Sequence, residues 1–275
     1  MKVGFIGLGE MGGAIATRII EAGWPTVLWA RRPEVLADFS AANVEIADTP
    51  AALAAETDMV GVCVWTDEDV RVVVAGDEGV LAGARPGTIV VIHSTALPST
   101  CRELAGLAAP RGVAVVDAPV SGGRNVALAG ALTVAVGGDV AAVARCKPVF
   151  EAYSETLVQL GGVGTGQIAK LLNNSLFAAN LAVADDALTV GSALGIDPPA
   201  LAQFLASGSG RSYGLEIVQR ARTSAETRAA ALPALAKDVE SLLTETGDDC
   251  AAKVFHQAAA AAVDRLRDPP PGWLP

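Results

Sequence analysis

No charge-free apolar run in the 275 residues approaches the roughly 20 residues that a membrane-spanning helix needs, so no membrane partner is expected. Positive charge is in short supply too. Lys and Arg number 20 against 30 Asp and Glu, a net charge of −10, which argues against nucleic acid as a partner. The four cysteines (Cys63, Cys101, Cys146, Cys250) are far apart, fit no zinc or redox spacing, and are read as buried free thiols. With only His93 and His256 beside them, no metal site is expected. Internal repeats and low-complexity linkers are missing. The N-terminus runs from one lysine straight into a strand pattern without a cleavage site, so a soluble, cytoplasmic protein is expected. What the chain has in quantity is apolar residues, 51% of the total. That suffices for a sizeable core without disulfides or metals. The length suits one large or two ordinary domains.

Lys2-Val-Gly-Phe-Ile6 reads as a buried parallel strand. It ends in Gly7-Leu-Gly9-Glu-Met-Gly12, and an Ala/Ile-rich helix follows to Gly23. Each glycine has a task in a dinucleotide-binding turn: Gly7 turns the chain, Gly9 lets backbone approach a pyrophosphate, and Gly12 lets helix and strand pack closely. The free N–H groups of the helix N-terminus then face the phosphates. Leu8 and Met11, within the motif, are expected against the cofactor, as is Val64 at a later strand end. The second strand, Thr26 to Ala30, ends in Arg31-Arg32-Pro33. An acidic residue here would bind a ribose 2′-hydroxyl, and this chain has none. Two arginines suit a 2′-phosphate instead, so NADP is expected over NAD.

Strand and helix continue to alternate. Val44–Ile46, Met59–Val64, Thr88–Ile92, Gly112–Val116, Leu132–Val136 and Thr156–Leu160 read as strands. Helices start at Thr49-Pro50 and at Asp139, the latter running to about Phe150. Polar residues punctuate the carboxyl ends of three strands, where ligands of open α/β sheets bind. Ser94 and Thr95 are therefore candidates for cofactor contact or for a helix N-cap. The stretch from Asp117 to Ala127 holds Ser121-Gly122-Gly123, whose backbone N–H groups could form a nest for a carboxylate or serve only as a hinge. From Gly164 to about Leu194 one long helix is expected, with Leu171, Leu172, Leu176, Leu181 and Leu188 facing the core. Further helices are expected at 199–206, 214–222, 235–246 and 249–266, with a tail at 269–275. Lys170 and Asn174 are four apart and so share a helical face. A lysine can act as acid/base when burial or neighbouring charge lowers its pKa, and as an ammonium it can polarise a carbonyl.

Taken together, these stretches resemble the β-hydroxyacid dehydrogenase family, which includes 3-hydroxyisobutyrate dehydrogenases and tartronate semialdehyde reductases. Residues 4–12 are similar to its cofactor motif, Asp117 to Gly123 to its substrate motif, Gly162 to Asn174 to its catalytic motif, and Lys237-Asp238 to its late Lys-Asp pair. The resemblance implies an N-terminal Rossmann-type α/β dinucleotide-binding domain (1–162) and an all-α substrate and dimerisation domain (163–275), joined by a long helix. It implies that Gly7, Gly9 and Gly12 hold the pyrophosphate, that Arg31, beside Arg32, meets the 2′-phosphate, and that Thr95 and Lys237 reach the nicotinamide end. Ser121, Gly122, Gly123 and Asn174 would bind a small carboxylate substrate, with Lys170 the acid/base. Homodimers or homotetramers are implied, with the long helix at the interface. The chain departs from the usual pattern at Val126, Ala131 and Ala30, and adds Arg124 and Asn125 beside the carboxylate site. The loop at 209–213 is a further candidate for the pocket wall. The implied reaction is hydride transfer between NADP and a small 3-hydroxy acid or its semialdehyde. The rival readings are an imine reductase, whose family members generally lack the lysine, and a non-catalytic NADP-binding scaffold.

Overall fold

The structure is a computed structural model and describes residues 1–247, 253–270 and 273. Residues 248–252, which include Cys250 and the start of the helix expected at 249, lie outside the described residues, as do 271, 272, 274 and 275 of the tail. The chain divides into two compact units, Met1–Lys170 and Leu171–Pro275.

The first unit alternates strands and helices: β1 (Val3–Ile6), α1 (Glu10–Glu21), β2 (Thr26–Trp29), β3 (Val44–Ile46), α2 (Pro50–Glu56), β4 (Met59–Val62), α3 (Asp67–Ala75), α4 (Val80–Gly83), β5 (Ile89–Ile92), α5 (Pro98–Ala108), β6 (Ala114–Asp117), β7 (Val120–Ser121), α6 (Arg124–Leu128), β8 (Leu132–Gly137), α7 (Val140–Phe150) and β9 (Ser154–Gly161). The strands form one sheet in the order β3-β2-β1-β4-β5-β6-β8-β7, with β9 pairing β8. Strands β1 to β6 are parallel where they pair, with Phe5 opposite Leu28 and Gly61, whereas β8 runs antiparallel to β6 and β7. The central strands are apolar throughout because both faces are covered. Phe5, Ile15, Leu28 and Tyr153 pack in one buried cluster, while Ile6, Val27, Leu53 and Leu104 pack in another. Helix starts follow their caps: the Thr49 side chain accepts from Ala52 N before Pro50, and Asp139 accepts from the N–H groups of Ala141 and Ala142.

The helix α8 (Thr165–Ala193) crosses the division between the units. The second unit continues with α9 (Pro198–Ser207), α10 (Tyr213–Thr223), α11 (Ala225–Thr246) and α12 (Lys253–Arg267). The α/β arrangement followed by helices is the one expected. Two expectations need correction here. Helix α11 begins ten residues before the expected Leu235, at the Ser224 cap, and Pro233 lies inside it without ending it. Leu172 and Leu176 are not core residues: they are 45% and 54% exposed, while Leu171, Leu181 and Leu188 are buried. One residue is a 100° step around a helix, so Leu172 falls off the buried stripe that Leu171 defines. Of the tail, Trp273 packs with the core of the second unit and donates from Nε1 to Asp185 Oδ1 at 3.2 Å.

Candidate active site

The carboxyl ends of β1, β2 and β4 open into a cavity of about 730 Å³. Gly7, Leu8, Gly9, Met11, Gly12, Arg31, Arg32 and Val64 all line it. The geometry separates the three glycines of the turn. Gly7 has φ +93°, and a Cβ there would meet the Cys63 carbonyl oxygen at 2.2 Å. A Cβ on Gly12 would meet the Gly7 carbonyl oxygen at 1.9 Å. Those two are demanded by the chain itself. Gly9 is different: a Cβ there would meet nothing within 4 Å. It is also the N-cap of α1 and supplies no side-chain cap, which leaves the first-turn N–H groups open to an anion. This arrangement fits a dinucleotide pyrophosphate.

Past β2, Arg31 is 82% exposed and its Nη1 lies 3.1 Å from Asp69 Oδ1. Asp69 is also part of the capping box of α3: Thr66 N and Oγ1 donate to its Oδ2 at 3.2 and 2.7 Å. Those bonds, chiefly the Thr66 hydroxyl, then the Thr66 N–H and the Arg31 guanidinium, hold its carboxyl below the ordinary range. Asp69 and Glu68 line the same cavity as the arginines, and the sequence reading missed both. Their only signal was a run of acids after a strand end.

Thr95 does not line the cavity. It follows β5, between two backbone groups that Gln167 holds: Ser94 O accepts from Gln167 Nε2 at 2.8 Å, and Ala96 N donates to Gln167 Oε1 at 3.1 Å. Ser94 caps no helix, because the N-cap of α5 is Leu97 ahead of Pro98. Its Oγ accepts from Val64 N at 2.8 Å and ties the ends of β4 and β5 together. Behind them His93 is buried. Its Nδ1 donates to Ala118 O at 2.7 Å, since a carbonyl can only accept, and Nε2 accepts from Tyr153 Oη at 3.2 Å. Burial lowers its pKa to about 4.

The stretch after β6, read from the sequence as a carboxylate nest or a hinge, carries regular structure. Val120–Ser121 forms β7 against β8, and Arg124–Leu128 forms α6. Gly122 and Gly123 have φ +137° and +80°, and Gly123 is the N-cap of α6. Val126 covers Gly122, with Cγ1 at 2.7 Å from where a Cβ would stand, whereas Gly123 faces open space. Arg124 and Asn125 are exposed.

Asp117, the last residue of β6, is fully buried. Its carboxylate reaches the start of α8: Gly164 N donates to Oδ1 at 2.6 Å and Gln167 N to Oδ2 at 2.8 Å. Desolvation raises its pKa against the lowering effect of these bonds. Lys170 is half-buried one turn further on. In the second unit, Asn174 donates from Nδ2 to Asp238 Oδ2 at 2.5 Å and accepts from Asn173 Nδ2 at 3.0 Å. Asp238 is buried, with Lys237 Nζ 3.7 Å from its Oδ1. At 209–213, Ser212 accepts from Leu215 N as the cap of α10, and the Tyr213 ring lies tilted against Phe177 with centroids 5.4 Å apart.

A family model described as the NAD binding domain of 6-phosphogluconate dehydrogenase matches residues 2–162. A second, described as the NAD-binding of NADP-dependent 3-hydroxyisobutyrate dehydrogenase, matches residues 164–267. The chain is 36% identical over 211 residues to the mitochondrial 3-hydroxyisobutyrate dehydrogenase of Mus musculus. That match takes in 77% of this chain but 63% of the mouse protein, less than two thirds of its length. The Mycobacterium tuberculosis 3-hydroxyisobutyrate dehydrogenase solved with L-serine superposes with a TM-score of 0.82 at 27% identity, over 97% of this chain and 94% of that one. Psf3, solved in complex with NADP+ and 2-OPP, gives 0.80 at 30% identity, over 97% and 95%.

Proposed function

Because the chain belongs to the β-hydroxyacid dehydrogenase family, we propose that it is a nicotinamide-dependent oxidoreductase acting on the hydroxyl group of a small 3-hydroxy acid or on its semialdehyde. The observation that carries this reading is the cavity after β1, β2 and β4, with open space over Gly9 and uncapped N–H groups behind it. When bound there, the cofactor supplies or accepts the hydride. NADP is favoured over NAD because Arg31 and Arg32 line the cavity where no acidic residue follows β2. The NADP+ complex of Psf3 agrees with that preference.

In this reading the protein's own groups bind, orient and move a proton. The Ser121, Gly122 and Gly123 segment takes the substrate carboxylate, and Asn174 orients the substrate. Asn174 is itself oriented, with its carbonyl and one amide hydrogen committed to Asn173 and Asp238. Lys170 gives a proton to the carbonyl oxygen in reduction and takes it from the hydroxyl in oxidation. Thr95 and Lys237 serve the nicotinamide end. The division into a dinucleotide-binding domain at 1–162 and a helical substrate and dimerisation domain at 163–275 belongs to the same proposal, as does a cytoplasmic homodimer or homotetramer. The test is a panel of small 3-hydroxy acids, aldehydes and imines with NADPH, NADP+, NADH and NAD+, followed at the nicotinamide absorbance. Turnover of hydroxy acids or aldehydes is expected, and turnover of imines alone would replace this reading with imine reduction. Lys170→Ala is expected to lower kcat by at least about 100-fold while NADPH still binds. Near-parental turnover in that variant would remove Lys170 from the chemistry.

A further inference from the structure

Two fully buried polar side chains, Asp117 and Gln167, meet at the first turn of α8. Asp117 receives two backbone N–H groups from that turn, one on each carboxylate oxygen. Sliding or rotating the helix start breaks one of those bonds. Gln167 works in the other direction. From the same turn its amide grips Ser94 O and Ala96 N, the backbone on either side of Thr95. There is no slack around this clamp. A Cβ on Gly166 would lie 2.7 Å from Ala135 O and 2.9 Å from Asp117 O, and one on Gly137 would lie 2.5 Å from Asp117 Oδ1. A helix that needed only a cap could take one from a local side chain, and Thr165 stands at the first position. Its hydroxyl instead donates to Gly162 O at 2.8 Å. The cap comes instead from a buried carboxylate 47 residues upstream, at a cost in desolvation.

We infer that Asp117 and Gln167 are positioning residues for Lys170, fixing the height and rotation of the first turn of α8 against the ends of β5 and β6. Lys170 follows Gln167 by three residues and stands one turn further along the same face of the helix. One side-chain amide thereby links the backbone flanking Thr95 to the helix that carries the proton-transfer group, and the carboxylate beneath it heads the segment leading to Ser121. The inference rests on the proposed role of Lys170, and the experiment keeps the two apart.

Gln167→Met keeps length and volume and removes both amide bonds. With NADP+ and 3-hydroxyisobutyrate, kcat is expected to fall by about 100-fold, the usual cost of a displacement near 1 Å. The Kd for NADPH and the KM for 3-hydroxyisobutyrate should stay within about twofold. In a Lys170→Ala background, adding Gln167→Met should cost no more, because the group it positions is already gone. A purely structural role gives the opposite pattern, with a lowered Tm, parental kcat per folded molecule, and a further loss on top of Lys170→Ala. Any of those kinetic results overturns the inference. If Gln167→Met does not fold, Asp117→Asn goes through the same measurements with the same expectations. Insoluble protein from both variants would also overturn it, since the clamp would then belong to stability. Parental turnover by Lys170→Ala alone would instead count against the function reading.

Discussion

Arg31 reaches the cavity with its charge already engaged by Asp69. A 2′-phosphate arriving there would exchange a carboxylate partner for a doubly charged one and would meet the Asp69 charge at short range. Two substitutions separate these effects. Arg31→Ala is expected to weaken NADPH roughly tenfold relative to NADH, the loss of one charge-assisted contact. Asp69→Asn keeps an acceptor for the Thr66 N–H and should tighten NADPH by about two- to fivefold, a modest gain because the pair is exposed and screened by salt. Both are read as Kd values by fluorescence titration at fixed ionic strength. If Arg31→Ala leaves the NADPH to NADH ratio unchanged, NADP preference is the wrong reading of the two arginines.

Among the described residues, one apolar face of the long helix α8 packs in the core of the second unit through Ala178, Leu181, Ala182 and Leu188, and another is exposed. Leu171, Ala178, Leu181, Ala182 and Leu188 are buried, while Leu172, Leu176, Val183 and Val190 are exposed. A stripe of that kind fits a second copy of the chain. Leu176→Asp with Val183→Asp is expected to shift the protein to monomers in sedimentation equilibrium without unfolding it. An unchanged mass would show that the stripe is not the interface. These leucines also mark how far sequence reading reaches. The glycine turn after β1 and the caps at Thr49 and Asp139 are local signals, and they could be placed from spacing alone. Periodicity reports which residues of a helix are apolar, but buried and exposed apolar faces look the same to it, so Leu172 and Leu176 were misplaced. The two-residue β7 is too short to leave a pattern. Asp117 and Gln167 owe their role to partners 47 and 73 residues away, and no spacing rule joins those positions.

For the whole molecule, the buried imidazole of His93 sets a pH limit. It lies among Phe5, Phe150 and Tyr153, with ring centroids 5.6–6.2 Å away, and its folded pKa of about 4 is below the ordinary 6.5. A depressed folded pKa gives stability that is fully present above about pH 6.5 and is lost as the pH falls towards 4, because the unfolded chain takes up the proton first. The shift is worth on the order of 3 kcal/mol. Asp117, with its pKa raised, contributes the opposite slope at acidic pH, so the clean measurement is a difference. The Tm of the parent should fall more steeply between pH 6.5 and 4.5 than that of His93→Gln, and parallel curves would remove His93 as the cause. The clamp at the start of α8 also bears on how this chain can be cut and rejoined. The two family models part between residues 162 and 164, and a chimera joined there would give Asp117 and Gln167 to different parents. A junction after Lys170 keeps donor and acceptor from one ancestor. Of two otherwise matched chimeras, the second is the one expected to retain turnover, so the heritable module ends a turn and a half into the helix.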